Sequence, residues 1–478
     1  MKLGLVSLGC DKNTVDSERM LAALVGEGAE PTEDPREADI LLVNTCGFID
    51  AAKQESIDTL IDLGRWKDEG RCRALVAVGC LVERYRPELE RELGEVDLFL
   101  GLSDLPRLVP ELKARGLLDG GGEEHPGTRL PLGRLRHVSY LKVSEGCDHG
   151  CAFCAIPLWR GRHRSFEPEA LVEEAARLEA RGVVELNLVA QDLAHFGRDR
   201  RDGTDITALL RRLLEGTEIP WFRLLYIYSA GIREPLVELM AAEPRVLPYL
   251  DMPIQHASDP VLERMRRPER QDRLRAKIRW LRDSIPGLTL RTTVMVGFPG
   301  ETEADFRALL DFLEEVRFDR LGAFAFSRQP GTRAEALRAQ AVPEAVGRER
   351  LEELLEVQRS ISSDRLGREV GRRCQVLVDR DGEDGEGPFA ECSGLVGRTT
   401  GQADDVDGLT WLESDVRLAP GTLVEAEVTA AHDFDLAARL LGVTREAPRP
   451  PPAAGSRRRG SGSGRRLPVL GLETARGR

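Results

Sequence analysis

Short apolar segments of strand length alternate with helical segments in two separate runs of this chain. The first run occupies residues 1 to about 115 and includes the strand-like segments KLGLVSL, DILLVNTC and ALVAVGC. The second run occupies residues 137 to about 330 and includes six such segments, from HVSYLKVSEG to RLGAFAFS. Buried strands that alternate with helices form parallel sheets with right-handed crossovers. The Gly/Pro-rich segment at residues 116–133 separates the two runs and therefore marks a domain boundary.

The two runs, and the different sequence that follows them, predict an α/β multidomain chain. Residues 1–115 are expected to form an N-terminal parallel α/β sheet domain. Residues 133–366 are expected to form a partial, open (βα)6 TIM-like barrel that a charged amphipathic helix at 343–366 closes, because six βα units are two short of a full barrel. Short strands with Gly/Asp turns predict a small five-stranded β-barrel at 367–443. The low-complexity, Arg-rich residues 444–478 cannot bury a core and are predicted to be a disordered basic tail.

Composition limits the setting and the partners of the chain. Nine cysteines in 478 residues are sparse and odd in number, which does not fit a secreted disulfide framework and favours a reducing cytoplasm. No apolar run approaches the roughly 18 residues of a membrane span, so no membrane partner is expected. The net charge of −13 argues against nucleic acid as the main partner. Nothing in the sequence requires more than a monomer.

Three of the nine cysteines lie within eight residues, after a predicted strand of the second run. Cys147, Cys151 and Cys154 have the spacing Cys-x3-Cys-x2-Cys at the end of a barrel strand where catalytic groups usually collect. Thiolates on one loop select zinc or an iron–sulfur cluster. A zinc site would need His149 or His163 as a fourth ligand, and Cys151 with Cys154 alone could form a redox pair. Three thiolates on a four-iron cluster would leave one iron open to a substrate or cofactor.

Three further cysteines follow predicted strands of the first run. Cys10, Cys46 and Cys80 come after VSLG, LVNT and VAVG. Because the carboxyl ends of parallel strands meet at one edge of a sheet, where ligands of open α/β sheets bind, we expect these three side chains to form a second cluster site. The alternative is three small buried side chains, since free cysteine is among the most buried residue types.

The loop CDHGCAFC, with Phe153 before its last cysteine, resembles the signature of the radical S-adenosylmethionine (SAM) superfamily. The resemblance implies a [4Fe–4S] cluster on Cys147, Cys151 and Cys154 whose open iron binds SAM and whose electron cleaves SAM to a 5′-deoxyadenosyl radical. We assign no catalytic residue beyond the cluster cysteines. The candidate SAM contacts are Phe153 in this loop and residues at predicted strand ends, Gln191, Asp192, Gln255, Val296 and Gly297. For the strand-end residues, the alternative is an ordinary role in turns and helix caps.

The layout of residues 1–443 resembles the methylthiotransferase family. This resemblance implies two [4Fe–4S] clusters, the second on Cys10, Cys46 and Cys80, together with two SAM molecules, a TRAM-type barrel that recognises a macromolecule, and a reductant such as flavodoxin or ferredoxin. The motifs VSLGCDKNTVDSE, LPYLDMPIQHAS and TTVMVGFPGETEADF are similar to the RimO branch, which adds a methylthio group to the β-carbon of an aspartate in ribosomal protein S twelve. Asp11 departs from that pattern, which usually has proline there.

The charge of the predicted small barrel favours the same branch over the tRNA adenosine branch. Residues 371–443 contain 15 Asp/Glu and six Arg, a net charge of −9. A barrel that grips tRNA needs cations for the phosphates, whereas an acidic surface suits a basic protein. We therefore predict ribosomal protein S twelve, free or in the small subunit, as the partner and no direct tRNA substrate. A tRNA methylthiotransferase, a zinc-binding ribosomal adaptor and a radical SAM methyltransferase with inert N-terminal cysteines remain the alternatives.

Overall fold

The computed structural model describes residues 1–118, 129–133, 135–382, 387–389 and 394–448. The chain forms two compact units. The first unit contains the described residues of 1–134 together with Ala155–Arg162, and the second contains Leu135–Cys154 and the described residues from His163 onward. Among the described helices, none is long and apolar enough to cross a membrane.

The first unit is built on a five-stranded parallel sheet with the strand order β2-β1-β3-β4-β5. Every residue of β3 and β4 is buried, as expected for central strands covered on both faces. The strands are β1 (Lys2–Ser7), β2 (Glu30–Pro31), β3 (Ile40–Thr45), β4 (Ala74–Gly79) and β5 (Leu98–Leu100). The helices are α1 (Asp11–Gly26), α2 (Asp50–Gly64), α3 (Trp66–Glu69), α4 (Cys80–Glu92), α5 (Leu108–Ala114) and α6 (Ile156–Trp159).

The first unit extends beyond the predicted domain boundary at residue 115. Leu117 and Leu118 are buried in the apolar layer on one face of the sheet. Arg129 Nε donates to Glu18 Oε2 at 2.9 Å, and both side chains are buried. The described end of the Gly/Pro-rich segment is therefore packed on this unit and is not a free linker there.

The second unit begins with a six-stranded parallel sheet of order β13-β12-β11-β10-β9-β6, which agrees with the predicted partial barrel. The strands are β6 (Val138–Lys142), β9 (Glu185–Val189), β10 (Trp221–Leu224), β11 (Val246–Asp251), β12 (Thr289–Val296) and β13 (Arg320–Ala325), with a small hairpin of β7 (Ser144–Glu145) and β8 (Arg164–Ser165). The helices are α7 (Pro168–Ala180), α8 (Ile206–Gly216), α9 (Glu234–Ala242), α10 (Asp259–Arg264), α11 (Gln271–Ser284), α12 (Glu303–Val316) and α13 (Glu344–Gly367). The last helix matches the predicted closing helix within one residue at each end.

A closed five-stranded barrel with the order β14-β15-β16-β18-β17 completes the second unit, as predicted. Its strands are β14 (Arg373–Asp381), β15 (Gly394–Thr399), β16 (Thr410–Glu413), β17 (Leu423–Ala431) and β18 (Leu436–Arg445). β18 continues two residues past the predicted boundary at 443, because its end still pairs with Leu423. Residues 449–478 of the predicted tail lie outside the described residues.

Buried ion pairs join the small barrel to the amino ends of the parallel strands. Arg398 donates to Glu185, the first residue of β9, at 2.6 Å and to Asp379 at 2.7 and 3.0 Å. Arg223 donates to the same Glu185 at 2.7 Å, and His137, just before β6, lies 2.8 Å from Asp379. All five side chains are at most 5% exposed. The small barrel is thus fixed at the end of the parallel sheet opposite to the strand carboxyl ends.

Replacing Arg398 by alanine should destabilise the second unit strongly. Two buried carboxylates would lose their guanidinium partner, and breaking such a pair costs about 3–5 kcal/mol in the free energy of unfolding. Calorimetric melting measures the effect, with Arg439→Ala on the exposed side of β18 as the control, for which a change within about 0.5 kcal/mol is expected. Equal melting temperatures of the two variants would contradict a structural role for the ion pairs.

Candidate functional site

The first cysteine trio, Cys10, Cys46 and Cys80, lies at one edge of the first sheet. Cys10 is the N-cap residue of α1, Cys46 follows β3, and Cys80 begins α4 directly after β4. β1, β3 and β4 are adjacent parallel strands, so their carboxyl ends are neighbours. The structure therefore brings these three side chains to the place that the sequence predicted.

Cys46 is held by two close neighbours. Ser56 Oγ accepts a hydrogen bond from Cys46 N at 3.0 Å and donates one to Cys46 O at 3.0 Å. Gly9 has φ +91°, and a Cβ at this position would lie 2.8 Å from Cβ and 2.9 Å from Sγ of Cys46. Only glycine lets the loop before α1 approach this sulfur so closely.

Asn13 and Arg160 connect the elements around the first trio. Asn13 Nδ2 donates to Leu8 O at 2.9 Å and Thr45 O at 3.2 Å, which ties together the loops after β1 and β3. Asn13 Oδ1 accepts from Arg160 Nη2 at 2.7 Å. The same nitrogen lies 3.3 Å from Cys80 Sγ. One guanidinium thus contacts both the asparagine and a cysteine sulfur.

Two thiols of the first trio, those of Cys46 and Cys80, are buried, and Cys10 is partly exposed. Ala155 and Trp159, from the segment that carries Arg160, pack against Cys80. Burial raises the pKa of the Cys46 thiol to about 11 and that of Cys80 to about 12. Such thiols are poor nucleophiles at neutral pH, whereas metal binding can displace their protons. These surroundings are compatible with metal ligands.

The second trio, Cys147, Cys151 and Cys154, follows β7 at the carboxyl end of the barrel strands. Ala152 fixes this loop, because its N donates to Met265 O at 2.9 Å and its O accepts from Ala334 N at 2.8 Å. Burial raises the pKa of Cys147 to about 11.

Aromatic and cationic side chains flank the second trio. Phe153 packs on the apolar cluster that contains Phe298. The buried Arg267 has its Nη1 3.9 Å from Cys151 Sγ. The loop therefore has an apolar side and, at one sulfur, a positive charge.

His149 and Asp192 also position this loop. His149 Nε2 lies 2.8 Å from Asp192 Oδ2, and the rings of His149 and Tyr228 stack with centroids 4.1 Å apart. Asp192 Oδ1 accepts from the backbone nitrogens of Ala194 and Tyr228 at 2.9 and 3.0 Å. Both oxygens of Asp192, a predicted SAM contact, are thus already hydrogen-bonded within the protein.

The zinc alternative finds no support in the positions of the histidines. His149 is bonded to Asp192, and His163 Nε2 lies 3.1 Å from Ser165 Oγ. Among the described residues, His149, Asp192 and His195 are the one set of possible ligands gathered within 4.8 Å, and Arg198 places a cation 2.8 Å from His195 Nε2. Neither cysteine trio is among the sets whose ligand atoms all lie within 4.8 Å of one another.

Buried amide atoms without hydrogen-bond partners lie on strands of the open barrel or shortly after them. Gln191 Oε1, Gln255 Oε1 and both amide atoms of Asn187 have no hydrogen-bond partner among the described residues. Gln255 also has φ +69°, held by backbone hydrogen bonds to Thr293 and Met295 at 2.9 and 2.8 Å. Orphaned buried polar atoms call for a polar ligand. The amino, hydroxyl and adenine groups of SAM would fit this set.

Gly297, a predicted SAM contact, packs closely against the last helix of the open barrel. Gly297 has φ +72°, and a Cβ there would lie 3.2 Å from the Cα of Gly347 in α13. Val296 is fully buried, and its O accepts from Phe326 N at 2.8 Å. Both positions thus have a structural role in packing or strand pairing, and their contact with SAM stays a prediction.

Four side chains at these sites were not predicted: Asn13, Arg160, Asn187 and Arg267. Asn187 had a detectable signal, because it interrupts the apolar strand ELNLV. Asn13 lies three residues after Cys10 at the start of a helix, which is a weaker signal. Arg160 and Arg267 had no detectable sequence signal, since the cysteines whose sulfurs they contact are remote in sequence.

Three family models match separate parts of the chain. The uncharacterized protein family UPF0004 matches residues 2–101, the radical SAM superfamily matches residues 141–313, and the TRAM domain matches residues 370–441. The matches cover the first sheet, most of the open barrel and the closed small barrel.

Curated relatives match over nearly the whole chain. The ribosomal protein uS12 methylthiotransferase RimO of Pelobacter propionicus is 44% identical, over 91% of this chain and 97% of the relative. That of Desulforudis audaxviator is 46% identical, over 92% and 97%. A solved structure, the radical SAM methyltransferase TsrM of Kitasatospora setae with cobalamin and a [4Fe-4S] cluster, is similar in fold with a TM-score of 0.50, 15% identity and coverage of 70% and 73%.

Replacing Gly9 by alanine should prevent metal binding by the first trio, because the new Cβ would displace Cys46. The measurement is iron bound after anaerobic reconstitution, in a chain whose second trio is replaced by alanine so that iron reports the first trio alone. Gly28→Ala is the matched control, since Gly28 has φ +89° but nothing within 4 Å of an added Cβ. Equal iron loss in both variants would trace the effect to backbone strain alone.

Proposed function

We propose, from the premise that this chain belongs to the RimO family of ribosomal protein uS12 methylthiotransferases, that it adds a methylthio group to the β-carbon of an aspartate in uS12. The chain is a radical SAM enzyme that transfers a methylthio group. The observation that carries the proposal is the pair of cysteine trios, each at the carboxyl ends of parallel strands.

In this proposal each trio holds one [4Fe–4S] cluster. Cys147, Cys151 and Cys154 hold the cluster that works with SAM, and Cys10, Cys46 and Cys80 hold the cluster that provides sulfur. With SAM bound, these groups supply hydrogen removal from an unactivated carbon and the sulfur to be inserted there, chemistry that protein side chains lack. Three protein ligands per cluster, not four, leave a coordination position for the cofactor or the sulfur.

The residues of the chain itself orient and enclose these groups. Gln191 and Gln255, through their side-chain oxygens, and Asn187, through its whole amide, offer hydrogen bonds to SAM. Asp192 and His149 hold the cysteine loop in place. The apolar cluster around Phe298 excludes water from one side of the loop, which protects a reactive species from side reactions. We also propose that two SAM molecules are used per turnover.

The acidic small barrel supports a basic protein as the partner. Arg398, one of its six arginines, is buried against carboxylates and contributes no positive charge to the surface. Asp405, Glu413 and Asp415 are exposed, and other acidic residues of the barrel lie outside the described residues. Complementary charge speeds encounter and suppresses wrong partners. We propose that uS12, free or in the small subunit, is recognised here and that tRNA is not a substrate.

Further parts of the proposal concern the setting of the enzyme. We infer a monomer in the cytoplasm that receives electrons from flavodoxin, ferredoxin or a similar reductant. The six cysteines of the trios are free thiols, which is compatible with a reducing compartment, because both trios need free thiols before clusters assemble.

The substrate can be identified by offering both candidates to one preparation. Reconstituted enzyme, methyl-labelled SAM and reductant are incubated anaerobically with uS12, with small subunits and with tRNA. Label in uS12, located by mass spectrometry as one methylthio group on an aspartate, is expected. Label confined to tRNA would replace this proposal by a tRNA methylthiotransferase, and label as a bare methyl group would replace it by a methyltransferase.

The two trios should have separable roles. Cys46→Ala is expected to lower the rate of methylthio transfer to less than one hundredth of the normal rate while SAM cleavage continues. Cys151→Ala should abolish both methylthio transfer and SAM cleavage. The measurements are methylthio-uS12 by mass spectrometry and 5′-deoxyadenosine by chromatography. Cys72→Ala is the control, because Cys72 lies buried in the apolar layer of the first unit. Methylthio transfer that survives Cys46→Ala would mean that the first trio is inert.

A further inference from the structure

Each cysteine trio has one buried arginine beside one of its sulfurs. In the first unit, Arg160 Nη2 lies 3.3 Å from Cys80 Sγ. In the second unit, Arg267 Nη1 lies 3.9 Å from Cys151 Sγ. The two arginines are 8% and 5% exposed. The same contact thus occurs at both sites on unrelated elements, one after α6 and one after α10.

Arg267 is held rigidly against Cys151. Its Nη2 donates to Pro253 O at 2.7 Å and to Glu269 Oε1 at 3.1 Å. Its guanidinium carbon lies 3.9 Å from the centroid of the Tyr228 ring. The guanidinium therefore keeps its position without the help of the sulfur, and a thiolate at Cys151 meets a preformed cation.

Glu269 balances part of the charge of Arg267. Ser229 Oγ donates to Glu269 Oε1 at 2.7 Å, and Tyr228 OH donates to Glu269 Oε2 at 3.3 Å. The ordinary role of such an arginine is a buried ion pair with its glutamate. Such an ion pair does not require a cysteine sulfur nearby, so the contact of Arg267 with Cys151 is an additional feature.

Arg160 is fixed by a different set of polar groups. Its Nη2 donates to Asn13 Oδ1 at 2.7 Å, and its Nη1 lies 3.8 Å from Asp16 Oδ2. Asn13 in turn bonds to the loops on both sides, as described above. The cation beside Cys80 is therefore anchored in the same network that gathers the first trio.

An arginine suits this position for a physical reason. A guanidinium stays protonated at every physiological pH and can only donate hydrogen bonds. Hydrogen bonds and positive charge at the sulfurs of an iron–sulfur cluster favour its more negative, reduced state and raise its reduction potential. Adding an electron to a buried, already anionic cluster is costly without such a partner.

We propose that Arg267 and Arg160 are positioning residues that raise the reduction potentials of the clusters on the second and first trio, each by donating a hydrogen bond to one cysteine sulfur. The proposal rests on the proposed function, because it requires that the trios bind clusters. Each arginine acts on its own cluster alone.

The test is a redox titration with dithionite, followed by electron paramagnetic resonance, in chains that retain one trio each. Arg267→Met should shift the midpoint potential of the second-trio cluster to more negative values, and Arg160→Met should do the same for the first-trio cluster. Arg267→Lys keeps the charge and should shift the potential less than methionine does. Arg266→Met is the control, since Arg266 is exposed beside Arg267, and no shift is expected.

The Glu269→Gln variant is the decisive test, because it should shift the midpoint potential in the opposite direction to Arg267→Met. Glutamine keeps an oxygen that can accept from Arg267 but removes the opposing negative charge, so the potential of the second-trio cluster should become more positive. A purely structural role of the ion pair predicts no shift with that sign. This variant also decides the matter if Arg267→Met fails to bind iron.

The outcomes separate this proposal from the proposed function. Clusters that assemble normally but keep their potentials in Arg267→Met, Arg160→Met and Glu269→Gln would overturn the role of the arginines and leave the function standing. A wild-type chain that binds no iron at either trio would overturn both.

Discussion

Parallel strand pairing is the constraint on which both cysteine sites depend. In a parallel sheet all strands point the same way, so every loop that follows a strand emerges at one edge. β1, β3 and β4 pair directly, and the cysteines that follow them need no long-range folding of loops to meet. The second trio lies on a single loop, and parallel pairing places that loop, after β6 and β7, near the polar side chains of the open barrel. The small barrel binds at the amino ends of the strands of the open barrel, where Arg398 forms buried ion pairs with Glu185 and Asp379.

Local patterns were sufficient to predict the strands and the cysteine positions. The strands β3 and β4 are continuous apolar runs, and their burial follows from covering both sheet faces. The five-stranded barrel was also predictable, because alternating residues and Gly/Asp turns repeat at short intervals. The packing of Leu117 and Leu118 beyond the predicted boundary at 115 had no local signal, since they join a core whose other members come from earlier strands and helices.

The polar contacts around the sites could not be predicted in the same way. Arg160 and Cys80 are 80 residues apart, and Arg267 and Cys151 are 116 apart. No periodicity links such pairs, because a hydrogen bond depends on tertiary placement and not on local propensity. Gly297 shows a different difficulty, because one local signal fits both a SAM contact, which stays a prediction, and close packing against α13. Sequence reasoning therefore identifies ligand types better than it identifies what surrounds them.

The first unit is discontinuous along the chain, and this has a consequence for biosynthesis. Ala155 and Trp159, which cover Cys80, leave the ribosome only after the first barrel strand and the second trio have been made. During translation the sheet that carries the first trio can form early, but Cys80 gains its contacts with Ala155 and Trp159 only after those residues have left the ribosome. A nascent chain thus passes through an interval in which Cys80 lacks these two neighbours. A first sheet expressed without residues 155–160 would never gain these contacts with Cys80.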